Sequence, residues 1–336
     1  MQIDMFTVMM RSEFLKGMQA VPAREPKYKD FTTIVPSTAR IENYAWMTPS
    51  PGIQRYLGHR RYATLDQIKY TVPNLEFSSE ITVALRDLED DQIGGYPLRF
   101  NELGLKAEAH PSRYVLQTLA LGETTGCFDG TNFFATSHNQ GSGNNPIGIT
   151  NFTGGLNDLA YTAQGSSDGL TYNAVFMLHY NAIKPLGYQR RKGPDLRTNA
   201  GTPQSFEAKQ VNYWVDLEAA AFFGYWWDAI LVKITNTPNL TDIFTIIDVA
   251  IKQFLSFTLP TGLPSDPALY IHQDIEFTKE VGTIVCSNGL WALLNHGLNE
   301  ERIGVSVAGS TSGFTNNIYR GAFGLVASGY LNGTGN

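Results

Sequence analysis

The chain holds 336 residues, with 25 lysines and arginines against 31 aspartates and glutamates, for a formal charge of -6 at pH 7. That balance excludes a basic nucleic-acid reader, and 43% hydrophobic against 17% charged residues excludes intrinsic disorder and supplies at least one sizeable core. Cys127 and Cys286 lie far apart with no Cys-x-x-Cys and no histidine at zinc spacing, so neither a disulfide framework nor a structural zinc site is encoded.

Residues 1–6 lack a basic start followed by an apolar run, so no secretory signal is read there. The most apolar stretch, 219–227, is far shorter than the roughly 20 residues a bilayer crossing needs, and no membrane partner is expected. Phe6, Met10, Phe14 and Met18 recur at helical spacing before Pro22 and Pro26, which predicts an amphipathic helix over 4–19, read as an N-terminal arm that packs on something else. An extended run over 62–72 then meets Pro73-Asn74, and Leu75, Phe77, Ile81, Val83 and Leu85 alternate with Glu76, Ser78, Glu80 and Thr82. This predicts a long hairpin whose apolar face must be covered by a distant segment or by another molecule.

The acidic run 86–91 suits a helix start. Tyr96, Phe100, Leu103 and Ala107 predict a helix in which Pro111 imposes a kink or a break, with Ser112 placed to cap a second piece reaching Leu119 and Ala120. Residues 122–173 read as loop with short strands. Strands over 174–179, 210–215 and 225–234 predict a small antiparallel sheet, interrupted by a basic loop at 189–193 and a turn at 201–205, with a helical turn at 217–221 left open. Leu240, Ile243, Ile247, Ile251 and Phe254 give the clearest helix, 239–257. Strands at 268–271 and 322–327 follow, separated by a mixed region, so the fold class is α+β without internal repeats.

Marks of chemistry are sparse. No phosphate-binding loop, dinucleotide fingerprint, His-Glu-x-x-His or calcium loop is present. Gly165-Ser166-Ser167-Asp168-Gly169 matches Gly-x-Ser-x-Gly, but no apolar strand precedes it and no helix follows, so Ser167 reads as part of a flexible loop. The six histidines, His59, His110, His138, His179, His272 and His296, form no i, i+4 pair. Asp87, Glu89, Asp90 and Asp91 read as a solvated helix cap, and Arg190, Arg191 and Lys192 as a basic loop, solvated or facing a neighbour, with DNA as the lesser alternative. Phe222, Phe223, Tyr225, Trp226 and Trp227 suit a core or interface better than a sugar-stacking face, although a β-rich carbohydrate-binding or adhesive protein built on Trp226-Trp227 is the alternative reading. No cofactor and no catalytic residue are expected.

Several segments, taken in order, resemble the major head subunit family of Mu-like tailed bacteriophages. They are Tyr44-Ala45-Trp46, Gly58 with Arg60-Arg61, the alternating strand into Arg86-Asp87-Leu88-Glu89-Asp90-Asp91 and Gly94, then Gly104, Ala107 and Pro111. Cys127-Phe128-Asp129-Gly130, Asn132-Phe133-Phe134 and His138 follow, and Lys184-Pro185, Gln189 to Lys192 and Val215-Asp216 look similar as well. The last hundred or so residues depart from that pattern; Ile234-Thr235-Asn236 and Ile318-Tyr319-Arg320-Gly321 look more like another group of phage capsid proteins.

The resemblance implies the Hong Kong 97-type capsid fold, divided into an N-terminal arm (1–41), an extended loop (42–85), a peripheral domain with a spine helix (86–237), an axial domain (238–315) and a strand returning to the peripheral domain (316–336). It also implies a non-enzymatic major capsid protein that assembles with itself into hexamers and pentamers of an icosahedral shell around double-stranded DNA, held without sequence specificity. Scaffold, portal and decoration proteins are further candidate partners, and the site of action is the virion, assembled in the host cytoplasm. Arg60, Arg61, Lys69, Glu76 and Glu80 are the expected inter-subunit contacts; a covalent link through Lys69 finds no matching catalytic residues.

Overall fold

The structure, a computed structural model, describes residues 2–20, 28–47, 67–89, 94–136, 138, 157–165, 167–259, 269–272, 275–306 and 312–332. In chain order the elements are α1 (Gln2–Ala20), β1 (Thr32–Pro36), β2 (Ile41–Met47), β3 (Gln67–Pro73), β4 (Leu75–Ala84), α2 (Leu85–Glu89), α3 (Tyr96–Ala120), β5 (Asp158–Thr162), β6 (Thr171–Leu178), β7 (Leu186–Thr198), α4 (Pro203–Glu207) and β8 (Gln210–Phe223). There follow β9 (Ala229–Thr235), α5 (Leu240–Ser256), β10 (Thr258–Leu259), β11 (Leu269–Tyr270), β12 (Gly282–Cys286), α6 (Asn288–Asn299), β13 (Arg302–Ser306), β14 (Ser312–Asn316) and β15 (Gly324–Ala327).

Two sheets organise the chain. A four-stranded sheet runs β1-β7-β8-β4 and a five-stranded one β15-β12-β6-β9-β5. In the first, Val211, Tyr213, Val215, Leu217 and Ala219 of β8 turn one way and are buried, while Asn212, Trp214, Asp216 and Glu218 turn to the half-exposed outer face. The inner face packs against α1 and α3 through Phe6, Met10, Phe14, Phe100 and Leu103. In the second sheet, residues Ala174 to Leu178 of β6 and all of β12 are buried without alternation, as expected for central strands covered on both faces. Ile243, Ile246, Ile247 and Phe254 of α5 and Leu290, Leu294 and Leu298 of α6 belong to that core.

The helix α1 lies on α3 of its own chain instead of reaching away as an arm. Gly17 and Gly104 make the crossing possible, because a Cβ on Gly17 would overlap the Asn101 carbonyl oxygen and one on Gly104 the Phe14 carbonyl oxygen. The helix α3 continues through Pro111, whose missing N–H deletes one intrahelical bond. Ser112 is buried in its interior and starts no second helix. The two halves of α3 serve different cores: Phe100, Leu103 and Ala107 meet α1, while Val115, Leu116 and Leu119 join the larger core under the five-stranded sheet.

Strand pairing differs from the expected hairpin. β3 pairs antiparallel with β2, from Ile41 opposite Pro73 to Met47 opposite Gln67, whereas β4 pairs with β8, so Pro73-Asn74 joins two sheets and is no hairpin turn. The expected basic loop at 189–193 is the middle of β7, bulged between Arg190 and Lys192 and again before Asp195. Residues 217–221 are extended, since β8 is paired on both sides and its period-two burial outweighs the helix preference of Glu218 and three alanines. The single small sheet expected over 174–234 is two: β6 and β9 lie in one, β7 and β8 in the other. The segment 268–271 contributes only the two-residue β11, and the mixed region after it holds β12 and α6. A boundary at 237/238 separates β9 from α5, which pack together, and β15 pairs with β12.

The helix α5 opens with a reciprocal capping box: Asn239 Oδ1 accepts from Asp242 N at 2.9 Å, and Asp242 Oδ2 accepts from Asn239 N at 2.9 Å. Asp242, itself buried, also accepts from Tyr161 Oη at 2.9 Å and Gln164 N at 3.2 Å, which ties the helix to β5. Asn239→Ala is expected to lower stability by about 1 kcal/mol, read as a shift of the urea midpoint at unchanged slope; Asp242→Ala should shift it further, because the Tyr161 hydroxyl loses its acceptor too.

Candidate assembly surfaces

The outer face of the four-stranded sheet carries two different surfaces. At one end Ala220 and Phe222 of β8 are covered by the root of the β2/β3 hairpin, where Tyr44 stacks on Phe222 at 5.1 Å and Tyr70 meets it edge-on at 6.2 Å. Beyond the hairpin the same face turns acidic. Glu76 lies directly opposite Glu218, Ser78 opposite Asp216, and Asp195 opposite Asp216 from the other side. Like charges placed so are unfavourable within one subunit. Arg191 meets Glu218 at 2.5 Å, Arg197 meets Asp195 at 3.3 Å and Trp214 Nε1 donates to Asp216 at 3.1 Å. Glu76 and Glu80 are exposed, and neither makes an ion pair among the described residues.

Of the expected contact residues, Glu76 and Glu80 therefore share one face with Asp216 and Glu218, which sequence reading did not join to them. The signal was present in the alternation of β8, but its face is fixed only by the partner β4. Lys69 stands in β3 opposite Ala45, and Arg60 and Arg61 lie outside the described residues. Arg190, Arg191 and Lys192 do not stay together: Arg190 occupies the register position of inward-facing Ala219, while the bulge brings Arg191 to Glu218 and leaves Lys192 in register with the same residue. Apolar side chains also stand uncovered on α1, where Met5 is 72% and Val8 70% exposed.

Other sequence candidates resolve into structure. Ser167 is exposed between β5 and β6, so the strand-to-helix turn that nucleophile chemistry needs is not formed. Phe222, Phe223, Trp226 and Trp227 are buried, which removes the sugar-stacking face on which the alternative reading depended. His138 is enclosed: it stacks on Trp226 at 3.9 Å, meets Asp129 Oδ2 at 2.8 Å through Nδ1, and faces Asn157 Oδ1 at 3.0 Å through Nε2. Asn157 Nδ2 donates to Phe133 O and Trp226 O, so its oxygen points at the ring and Nε2 is the donor. The Cys127-to-His138 segment is thus a structural clasp around Trp226. Of the acidic run, Asp87 accepts from Tyr96 Oη at 2.5 Å, while Asp90 and Asp91 lie outside the described residues.

A second polar cluster, around buried Asp228 and His272, escaped sequence reading, because its members come from three distant segments. Asp228 accepts from Asn181 Nδ2 at 2.9 and 3.1 Å and lies 3.7 Å from His272 Nε2. His272 Nε2 donates to the Trp227 carbonyl at 2.9 Å, so its Nδ1 accepts from Tyr180 Oη at 2.9 Å. Burial pushes the Asp228 carboxyl up to about 8 against the opposing hydrogen bond of Asn181, and burial pulls His272 down to about 4. Asp228 and His272 are closed from solvent while Tyr180 is exposed, and the cluster joins the turn before β9 to the segment after β11. Among the described residues no helix is long and apolar enough to cross a membrane.

Comparison with known proteins agrees with this architecture. The family model described as Mu-like prophage major head subunit gpT matches residues 3–249. The Mu-like prophage FluMu major head subunit of Haemophilus influenzae is 30% identical over 227 residues, covering 66% of this chain and 69% of that one. The major capsid protein of Escherichia phage Mu is 27% identical over 228 residues, covering 66% and 70%. Among solved structures, the bacteriophage JBD30 capsid superposes with a TM-score of 0.69 at 18% identity over 93% of each chain. Its procapsid gives 0.64 at 23% identity over 96% and 97%. The fold likeness thus extends through the C-terminal part, where the family match stops. The chain belongs to the Mu-like major head subunit family: it is a major capsid protein of a tailed phage, with the Hong Kong 97-type fold, and a structural component of the virion.

Proposed function

We propose that this subunit builds hexamers and pentamers of an icosahedral shell by laying the β2/β3 hairpin of one copy on the acidic outer sheet face of the next. The carrying observation is charge complementarity between two separate regions of one chain. The segment 48–66 that joins β2 to β3 holds Arg55, Arg60 and Arg61 against Asp66, while the face around Glu76, Glu80, Asp216 and Glu218 is acidic. A contact between different patches of identical subunits is heterologous and closes into a ring when the rotation allows. The uncovered apolar side of α1 supports a further inter-subunit contact. Lys192, in register with Glu218, is read as neighbour-facing, and Lys69 as a contributor from the hairpin.

In this reading the four-stranded sheet with α1 and α3 is the peripheral domain, and the five-stranded sheet with α5 and α6 is the axial domain. The shell holds double-stranded DNA without sequence specificity; a net charge of -6 favours that, since a strongly basic wall would retain the DNA on ejection. Assembly takes place in the host cytoplasm, with scaffold, portal and decoration proteins as partners.

Charge reversal tests the contact. Glu76→Lys with Glu80→Lys, or Arg60→Glu with Arg61→Glu, is expected to abolish shells seen by negative-stain microscopy while circular dichroism stays unchanged. All four changes in one chain should restore them in part. Normal shells from either double variant would refute the pairing.

A further inference from the structure

The root of the hairpin is held by a buried polar knot centred on β7. Gln189 is fully buried; its Oε1 accepts from Tyr44 Oη at 2.8 Å, and its Nε2 donates to the Val72 carbonyl at 3.2 Å and to Asn74 Oδ1 at 2.9 Å. Asn74, also buried, extends the knot, with Nδ2 donating to Ser37 Oγ at 2.7 Å and to the Ala39 carbonyl at 2.8 Å. Its backbone N–H donates to the Arg40 carbonyl at 2.8 Å. One side chain of the sheet therefore holds β2 through Tyr44, β3 through Val72, and the junction with β4 through Asn74.

The amide has one orientation here, since its nitrogen meets two oxygens that only accept and its oxygen meets a hydroxyl. All three bonds form together at a single placement of the hairpin. The apolar contacts at the root, the Tyr44 and Tyr70 rings on Phe222, tolerate sliding, whereas hydrogen bonds fail steeply with distance and angle. Beside the root lies an apolar pocket of about 180 Å³ walled by Val35, Tyr44, Ile183, Leu186 and Phe222, so close packing does not fix the hairpin on that side.

We infer that Gln189 is the positioning residue that holds the hairpin at one angle to the sheet and so sets where its far end falls on a second copy. The first half stands on the geometry of one subunit; the second rests on the proposed contact between hairpin and neighbour.

Spin labels at Thr71→Cys on the hairpin and Ser78→Cys on β4 test it, both positions being exposed and both native cysteines buried. The labelled full-length chain is diluted into unlabelled chain, and the label-to-label distance is measured by pulsed electron resonance. The parent should give one narrow distribution. Gln189→Leu, similar in volume but without the amide, should give an about twofold broader or split distribution at unchanged circular dichroism. Gln189→Glu should do the same, because it sets a carboxylate against the Val72 and Asn74 oxygens. Tyr44→Phe keeps the ring stack, should broaden the distribution by less, and carries the test if the Gln189 variants do not fold. An unchanged narrow distribution in every folded variant overturns the inference and assigns the angle to the Phe222 stack. Shell formation is scored separately: broadened distances with normal shells would sink the neighbour contact and leave the lock standing, whereas lost shells with unchanged distances would sink the lock.

Discussion

Gly104→Val is expected to unseat α1 from α3 and leave little folded chain. The opposing atom is the backbone carbonyl of Phe14, with Met18 N close behind, so no rotamer change makes room and one helix must move off the other. Overpacking in a core costs about 1–3 kcal/mol where side chains can yield; against backbone the cost exceeds that range. Separating the helices also uncovers Phe6, Met10 and Phe14, all buried now. Gly17→Val, on the other side of the crossing, should act alike, since its Cβ meets the Asn101 carbonyl. Gly193→Ala is the control: a Cβ there meets nothing within 4 Å, and a change within about 0.5 kcal/mol is expected. The urea midpoints of the three variants decide the matter; a Gly104→Val chain as stable as the control would mean that α1 does not pack as described.

The second large effect is a dependence of stability on pH. Asp228 is raised from the ordinary 3.8 to about 8 by burial, so the native state holds a proton that the unfolded chain has lost; its contribution is complete below pH 3.8 and disappears as pH rises through about 8. His272, lowered from 6.5 to about 4 by burial, has the opposite sign, since the unfolded chain binds a proton below pH 6.5 that the native state refuses. Between about pH 4 and 6.5 the two slopes oppose and nearly cancel. From pH 6.5 to about 8 Asp228 acts alone, and stability should fall by about 2 kcal/mol over that interval at 1.36 kcal/mol per pH unit. Asp228→Asn cannot ionise, keeps an acceptor for Asn181, and should remove the decline and raise the melting temperature at pH 8. His272→Gln should let the decline begin near pH 4. Parallel stability curves for the parent and Asp228→Asn across pH 6.5 to 8 would exclude this carboxyl as their source.

What the chain declares locally it declares well. The Phe6-Met10-Phe14-Met18 repeat and the Leu240-to-Phe254 repeat each specify a helix through contacts three and four residues apart, and both helices stand where the spacing places them. The order of segments from Tyr44 to His138 also sufficed to identify the family, and two of those segments mark features of the fold. Gly104 admits a helix, and Cys127 to His138 close the clasp around Trp226. The family match does end within the chain, at residue 249, but Ile234-Thr235-Asn236 and the start of α5, read as departing from the pattern, fall inside it.

Pairing was another matter. The alternation of Leu75 to Leu85 fixes a strand and its apolar face, but nothing within it distinguishes β3 from β8 as its partner, and β8 lies more than a hundred residues away. Glu218 with its alanines favours helix in isolation, and two flanking strands overrule it. The basic run 189–193 looks like loop because bulges break its alternation, although the ladder continues on either side.

The candidate surface divides in the same way. Charge, the basic segment 48–66, Glu76 and Glu80 are properties of the sequence, and so is the kind of protein this is. That Glu76 faces Glu218, that Gln189 reaches Tyr44, Val72 and Asn74 at once, and that Asp228 is sealed beside His272 were decided by tertiary structure alone. The physical reason is that hydrogen-bond partners and desolvation are set by whichever distant segments pack together, whereas helical periodicity and strand alternation are set by neighbours along the chain.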